Sequence, residues 1–309
     1  MIEQPSPQAL VDGLVRLLTV VPAGNDLFTG IPQPGGKGRV FGGQIVAQAL
    51  QAAQADAPDG FTAHSLHAYF LRGGTEGLAT EYATACDFEG RSFTNRRVVA
   101  RQDGTAILNL TASFQRPESG LEHQDAATPD VPPPEELESD MAERHKVVQR
   151  AGDRMTEAQR ALVLRPRPIE MRSVGPLHWM NREPAPPCAQ SWFRTVAPLP
   201  DDPALHRAVI AYASDYTLLG TAALPHGLSW MRGELVGASL DHAIWFHSPK
   251  GKQPRADEWL LYVTDSPWSG GGRGFNRGQI FNREGELVAS VAQEGMMRQR
   301  LRKSEASGS

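Results

Sequence analysis

A chain of 309 residues, 40% of them hydrophobic, is long enough for two cores of ordinary size, so two domains are expected. With 21% charged residues and a formal net charge of −4 it carries no strong field of either sign, which argues against a nucleic-acid partner. Its two cysteines, Cys86 and Cys188, could form one bridge, but they outline neither a disulfide framework nor a zinc site, so a reduced, cytoplasmic protein without metal or cofactor is expected.

The amino terminus, Met-Ile-Glu-Gln-Pro-Ser-Pro, lacks the basic start and apolar core of a signal peptide, and no apolar run is long enough to span a bilayer. Residues 5–21 read as an amphipathic helix entering the first domain, and a Gly/Pro-rich stretch runs from Gly24 to Gly38. A helix follows from Val40 to Ala53, rich in alanine and glutamine, with Gly42 and Gly43 where it begins. Three strand-like runs come next: His64 to Leu71, Ala79 to Asp87, and Ser92 to Gln115, the last broken by the hairpin signal Asp103-Gly104. The charged segment from 117 to 164, with Pro132-Pro133-Pro134 inside it, reads as a linker with one surface helix.

The second half repeats the plan. Strand-like Arg167–Ser173 and Ala189–Val196 lead into a helix from Pro203 to Ala223, then strands at Leu235–His247, Glu258–Thr264, Gly274–Asn282 and Leu287–Met297. Two short pieces look like internal repeats in the same order. His67-Ala68-Tyr69-Phe70 matches His242-Ala243-Ile244-Trp245-Phe246, and Arg91-Ser92-Phe93 with its later Asp103-Gly104 turn matches Arg273-Gly274-Phe275 with its Glu284-Gly285 turn. A helix followed by antiparallel strands that wrap it, built twice, is an α+β fold. The expected units are an N-terminal repeat at 1–116, a linker at 117–164, a C-terminal repeat at 165–300, and a disordered tail at 301–309 without a peroxisomal address.

Several motifs are absent. There is no Gly-x-Ser-x-Gly elbow and no Walker-type phosphate loop. The cluster Gly270-Gly271-Gly272-Arg273-Gly274 reads as a flexible loop between strands, with passage of ligand phosphates past Arg273 as the other reading. His64 and His67 alternate along one strand, as do His242 and His247, so neither pair can share a metal, and each reads as a packed or surface histidine. All six tryptophans lie in the second half and read mainly as core or interface filler, one or two as lining for an acyl pocket.

The sharpest anomaly is Asp215, the one formal charge between Ala208 and Met231. A helix apolar on all sides is buried, and an unpartnered buried carboxylate costs at least roughly 1–3 kcal/mol, so it has partners or a task. It reads either as a structural acid satisfied by backbone or Ser214, or as a base held ready to take a proton from water. Gln293 is the second anomaly. Leu287, Ala289, Val291, Gln293, Gly295 and Met297 share one strand face, where a single amide interrupts an apolar row. Aligning Gly285 with Gly104 sets Ala112 opposite Gln293, and the first helix has a glutamine stripe in place of an acid, so the polar anomalies belong to the second repeat alone. Ser239, on a face with Gly237, Asp241, Ala243 and Trp245, reads by itself as a half-buried strand serine.

Phe41-Gly42-Gly43-Gln44, His64-Ser65-Leu66-His67-Ala68-Tyr69-Phe70-Leu71-Arg72 and Thr111-Ala112-Ser113-Phe114-Gln115 resemble the acyl-CoA thioesterase II family, as do Tyr212-Ala213-Ser214-Asp215, Leu240-Asp241-His242-Ala243-Ile244-Trp245-Phe246-His247 and Val291-Ala292-Gln293-Glu294-Gly295. The blocks run in family order from near residue 27 to near residue 298. The resemblance implies a double hotdog, two long helices each wrapped by an antiparallel sheet, joined into one continuous sheet and assembled as a homo-oligomer. It also implies hydrolysis of fatty acyl-CoA with neither metal nor covalent acyl-enzyme. The family's catalytic aspartate falls on Asp215, its glutamine on Gln293, and its threonine or serine on Ser239. In the mechanism so implied these three hold one water; Asp215 takes its proton, and amides near Gly42-Gly43 or at the second helix receive the oxyanion. Two other functions remain open. An enoyl-CoA hydratase would want an Asp/His pair, and no histidine is evident near Asp215; a non-catalytic acyl-CoA-binding protein would use the same polar groups as mere core polarity.

Overall fold

The computed structural model describes residues 5–33, 36, 38–175, 183–228, 230 and 232–300. The first four residues of the amino terminus, Trp179 and the tail expected to be disordered lie outside the described residues.

Ser6 caps α1 (Pro7–Leu18) by accepting the Ala9 N–H, and Val11, Leu14 and Leu18 recur at helical spacing on its buried face. Two short strands, β1 (Val20–Gly24) and β2 (Leu27–Gly30), take up ground that the sequence assigned to the end of α1 and the Gly/Pro-rich stretch. The long helix α2 (Gly42–Asp56) is buried along most of its length, and its glutamines find partners: Gln48 donates to Leu17 O and accepts from Tyr82 Oη at 2.6 Å. The meander β3 (Thr62–Phe70), β4 (Thr80–Glu89), β5 (Phe93–Gln102) and β6 (Thr105–Gln115) follows. Asp103 and Gly104, both at positive φ, form its last hairpin turn.

Residues 117–164 are not a free linker with one surface helix. They hold two helices, α3 (Asp140–Ala151) and α4 (Glu157–Val163), and α3 buries an ion pair, Asp140–Arg144 at 2.9 Å. The stretch before α3 is strapped to the second half: Trp192 Nε1 donates to Pro132 O, Arg172 Nη1 to Pro134 O, and Arg283 pairs with Glu135. Under the strap Trp192, Trp259, Leu261 and Phe281 form a second small core, against which Val131 and Leu137 pack.

The second half runs β7 (Ile169–Ser173), β8 (Cys188–Thr195), α5 (Pro203–Ser214), α6 (Leu218–Thr221), β9 (Leu235–Ser239), β10 (Asp241–Phe246), β11 (Leu260–Gly270), β12 (Arg273–Phe281) and β13 (Leu287–Gln299). Two sequence readings are corrected here. The helix expected from Pro203 to Ala223 breaks after Ser214, leaving Asp215 as the C-cap of α5 rather than an interior helical residue. Tyr216 and Thr217 are weak helix formers, and Tyr262 Oη of β11 donates to Ser214 O at 3.0 Å, satisfying a carbonyl the helix leaves free. The strand expected from Leu235 to His247 is two strands: Ser239 pairs with Gly295 and Ala243 with Ala292, so three residues of this strand face two of β13. This bulge at Leu240 reverses the alternation. Ser239 therefore shares the inner face with His242 and Ile244, not with Asp241, Ala243 and Trp245.

All strands join one antiparallel sheet in the order β1-β2-β4-β5-β6-β3-β10-β13-β12-β11-β8-β7, with β9 pairing to β13 off this path. The order is a mirror about the β3–β10 pair. Each half contributes two strands, a long helix and a four-strand meander, and the two long helices pack on each other across the join. That is the twice-built helix-and-sheet plan, joined as a continuous sheet.

Candidate active site

Asp215 at the end of α5, Ser239 at the end of β9 and Gln293 in mid-β13 meet where the two halves join. Gln293 Nε2 donates to Asp215 Oδ1 at 2.6 Å, and Ser239 Oγ donates to the same oxygen at 3.4 Å. Gln293 Nε2 and Ser239 Oγ are 3.1 Å apart. The carboxylate fixes the amide's orientation, because only the NH2 end can face it.

The start of α2 supplies the remaining wall. A Cβ on Gly42 would lie 2.7 Å from Asp215 Oδ2, so only glycine leaves the carboxylate its room. The Gly43 amide also pulls on the carboxylate and favours its charged form. The helix fields oppose each other here: the end of α5 disfavours an anion, and the start of α2 favours one. Burial dominates and pushes Asp215 up to about 6, against the pull of the Gln293, Gly43 and Ser239 hydrogen bonds.

His242 completes the cluster, and the sequence reading passed over it. Its Nδ1 lies 3.0 Å from Gln293 Nε2 and its Nε2 2.9 Å from Ser214 Oγ. Ser214 Oγ donates to Ala211 O, so His242 donates from Nε2 to Ser214 and accepts from Gln293 at Nδ1. Both amide protons of Gln293 thus have fixed acceptors, Asp215 and His242. The ring is wholly buried, and burial pushes its pKa down to about 4, which keeps it neutral. The expectation of no histidine near Asp215 is therefore wrong. The signal in the sequence was hidden by the Leu240 bulge, which turns His242 inward.

A cavity of about 440 Å³ opens onto the cluster, an ordinary size for a ligand site. Asp215, Ser239 and Gly42 line it, with an apolar wall of Val40, Phe41, Ile45, Phe70, Ile107 and Leu219, and with Arg39 and Arg72. Gln293 and His242, both fully buried, are not among the residues that line it. The other candidates fall elsewhere. Gly271 and Gly272, both at positive φ, are the turn between β11 and β12, and Arg273 pairs with Glu294 at 2.9 Å, so the phosphate reading of that loop is not supported. None of the described tryptophans lines the cavity. Cys86 and Cys188 are both free. Among the described residues no group of histidine, cysteine and carboxylate side chains is placed to hold a metal, and no helix is long and apolar enough to cross a membrane.

Comparison with known proteins places the chain in a family. Residues 31–115 match the family model of the acyl-CoA thioesterase N-terminal domain, and residues 176–296 that of acyl-CoA thioesterase. The chain is 36% identical to acyl-CoA thioesterase 2 of Haemophilus influenzae, over 94% of this chain and 98% of that one. It is 38% identical to human acyl-coenzyme A thioesterase 8, over 95% and 91%. Among solved structures it resembles an acyl-CoA thioesterase II of Mycobacterium marinum, with a TM-score of 0.73 and 37% identity over 92% of this chain and 98% of that one. A hotdog protein of Alicyclobacillus acidocaldarius, 18% identical over 93% of this chain and 98% of that one, also has a TM-score of 0.73 and supports the fold alone. With both halves matched in order and relatives aligned nearly end to end, the chain belongs to the acyl-CoA thioesterase II family and has its double hotdog fold.

Proposed function

We propose that this chain hydrolyses fatty acyl-CoA to the free acid and CoA by direct attack of a water that Asp215, Gln293 and Ser239 activate. The observation that carries the reading is a carboxylate with a raised pKa, bonded by an amide and a hydroxyl, in the wall of a largely apolar cavity. Asp215 takes the water's proton as its oxygen bonds to the thioester carbonyl carbon; collapse of the tetrahedral intermediate breaks the C–S bond and releases the CoA thiolate, a good leaving group that needs no strong acid. Ser239 orients the water, and Gln293 holds Asp215 in place. Gly42 opens α2, where an N–H has no acceptor within the helix, and it lines the cavity, so it is our choice of oxyanion donor. His242 acts through Gln293 as a positioning residue. The proposal includes a division of the chain into repeats at 1–116 and 165–300 with the chemistry in the second, a cytoplasmic setting, and a homo-oligomer. Exposed Tyr69 and Trp245, on the outer face of the two central strands, support the last.

His242 also gives the hydratase reading its histidine. Yet the ring sits behind Gln293 with both nitrogens engaged, away from the cavity that substrate would enter. A panel of acyl-CoAs from short to long chain, scored for free thiol, together with crotonyl-CoA scored for loss of the enoyl band, decides between them. Thiol release across the panel with the enoyl band unchanged is the expected result. Enoyl loss without thiol would establish the hydratase, and tight binding without either reaction a non-catalytic acyl-CoA protein.

A further inference from the structure

The cavity is polarised. Its one acidic lining residue, Asp215, is part-buried, and its two basic ones, Arg39 and Arg72, are exposed. Neither arginine forms an ion pair among the described residues, whereas most of the arginines elsewhere in the sheet, such as Arg96, Arg97, Arg194 and Arg277, are paired with carboxylates. An arginine without a carboxylate has its planar fork of N–H donors free for an oxyanion.

The chain also holds these two side chains in place. Arg72 follows the end of β3, and its Nη1 donates to Ala106 O at 3.1 Å, which anchors one nitrogen and leaves the others free. Arg39 bridges to Thr75 through its backbone, and its side chain lies across the backbone of Gly73. A Cβ on Gly73 would come within 2.7 Å of Arg39 Nη2 and 2.8 Å of its Cζ. Gly73 does not have a positive φ, so its lack of a side chain serves the close approach of Arg39 and not a turn. Gly73 and Gly74 line the same cavity.

We propose that Arg39 and Arg72 form the subsite that takes the phosphate groups of CoA, with Gly73 as the shelf on which Arg39 lies. This assignment rests on the thioesterase reading above, for it orients the substrate with its anionic end at the arginines and its thioester at Asp215. Charge complementarity fixes that direction, since the reverse would bring phosphate against the carboxylate. Removing the arginines removes binding that is equal in the ground and transition states, so KM changes and kcat does not.

The test compares palmitoyl-CoA, palmitoyl-3′-dephospho-CoA and palmitoyl-pantetheine on the wild type, Arg39→Ala, Arg72→Ala, the double variant and Gly73→Ala. Losing charge-assisted hydrogen bonds to phosphate raises KM for the CoA ester in the double variant by about tenfold or more, with kcat within about twofold. KM for the pantetheine ester, which has no phosphate, stays at its wild-type value. Gly73→Ala moves Arg39 without removing its charge and gives a smaller rise of the same kind, and added salt weakens the wild type's preference for the CoA ester. The 3′-dephospho ester tells which phosphate is held: a penalty that disappears with it assigns the 3′-phosphate, and one that persists assigns the diphosphate. Equal KM changes for the CoA and pantetheine esters, or none for either, would overturn the subsite. Should the wild type release no thiol at all, the thioesterase reading fails by itself. The subsite is then judged by calorimetric binding of adenosine 3′,5′-bisphosphate, which the double variant must lose and which, if retained, refutes it.

Discussion

At the scale of single residues, the proposed chemistry turns on one ionisation. Asp215 is a base only when charged, and burial holds its pKa up to about 6. kcat is therefore expected to fall about tenfold per pH unit below that point and to level off above it, read from a pH–rate profile. Gln293→Leu removes the strongest hydrogen bond opposing the burial. Its acidic limb should move to higher pH while kcat drops by roughly a hundredfold, whereas a limb that stays in place would mean that Gln293 does not tune the acid. The same shift acts on stability. An acid whose folded pKa lies above its unfolded value favours the fold below the unfolded value, near 3.8, and that contribution is lost as pH rises through about 6. The charged Asp215 thus costs about 3 kcal/mol at neutral pH. Asp215 and Gln293 were both legible in the sequence because each is a lone polar group in an apolar run. Ser239 was not, because a strand serine is common, and the resemblance alone picked it out. His242 was missed because an alternating pattern cannot register a bulge.

At the scale of elements, the site depends on where three of them stop. α5 ends at Ser214, so Asp215 faces the start of α2 instead of continuing along its own helix. Sequence pattern could not give that end: the apolar run continues to Ala223, and the group that takes up Ser214 O is Tyr262, far along the chain. The β9–β10 bulge turns Ser239 and His242 to the same side, and the start of α2 approaches the carboxylate over a glycine. Gly42→Ala would drive a methyl group into Asp215 Oδ2, and it should lower kcat by about a hundredfold and stability by roughly 1–3 kcal/mol, measured by thiol release and chemical denaturation. A variant as active and stable as the wild type would show that the approach is looser than described. By contrast, α4 was legible and overlooked. Thr156 and Gln159 form a reciprocal capping box whose spacing is plain in the sequence.

At the scale of the whole molecule, duplication explains why the sheet mirrors about β3 and β10, and it raises the question of why the chemistry is proposed at only one end of the helix pair. The first half does have a carboxylate at its helix end, Asp56, which the sequence reading missed by ending the helix at Ala53. Arg96 of β5, paired across the sheet with Ala112, is 4% exposed and bonds Asp56 at 2.7 Å and Glu89 at 3.0 Å. A guanidinium bonded to one oxygen of Asp56 gives that acid a cationic partner, which Asp215 lacks among the described residues. Arg96→Leu should cost about 3–5 kcal/mol in denaturant unfolding, since it strands a partly buried acid, while kcat at the distant Asp215 stays within about twofold. A large loss of turnover in a folded variant would mean that the two ends are coupled. The overall plan was legible because the order of elements repeats. The strap over the second half was not, since a Pro-rich, charged segment carries no period and its anchors, such as Trp192 and Arg172, are distant in sequence.

The most direct test of the whole account is thiol release from a good acyl-CoA substrate by Asp215→Asn at saturating concentration and pH 8. The Asp215 mechanism gives a kcat lowered at least about a hundredfold, KM little changed, and a thermal midpoint no lower than the wild type's, because the substitution removes both the base and its burial cost. Turnover undiminished in that variant would contradict it.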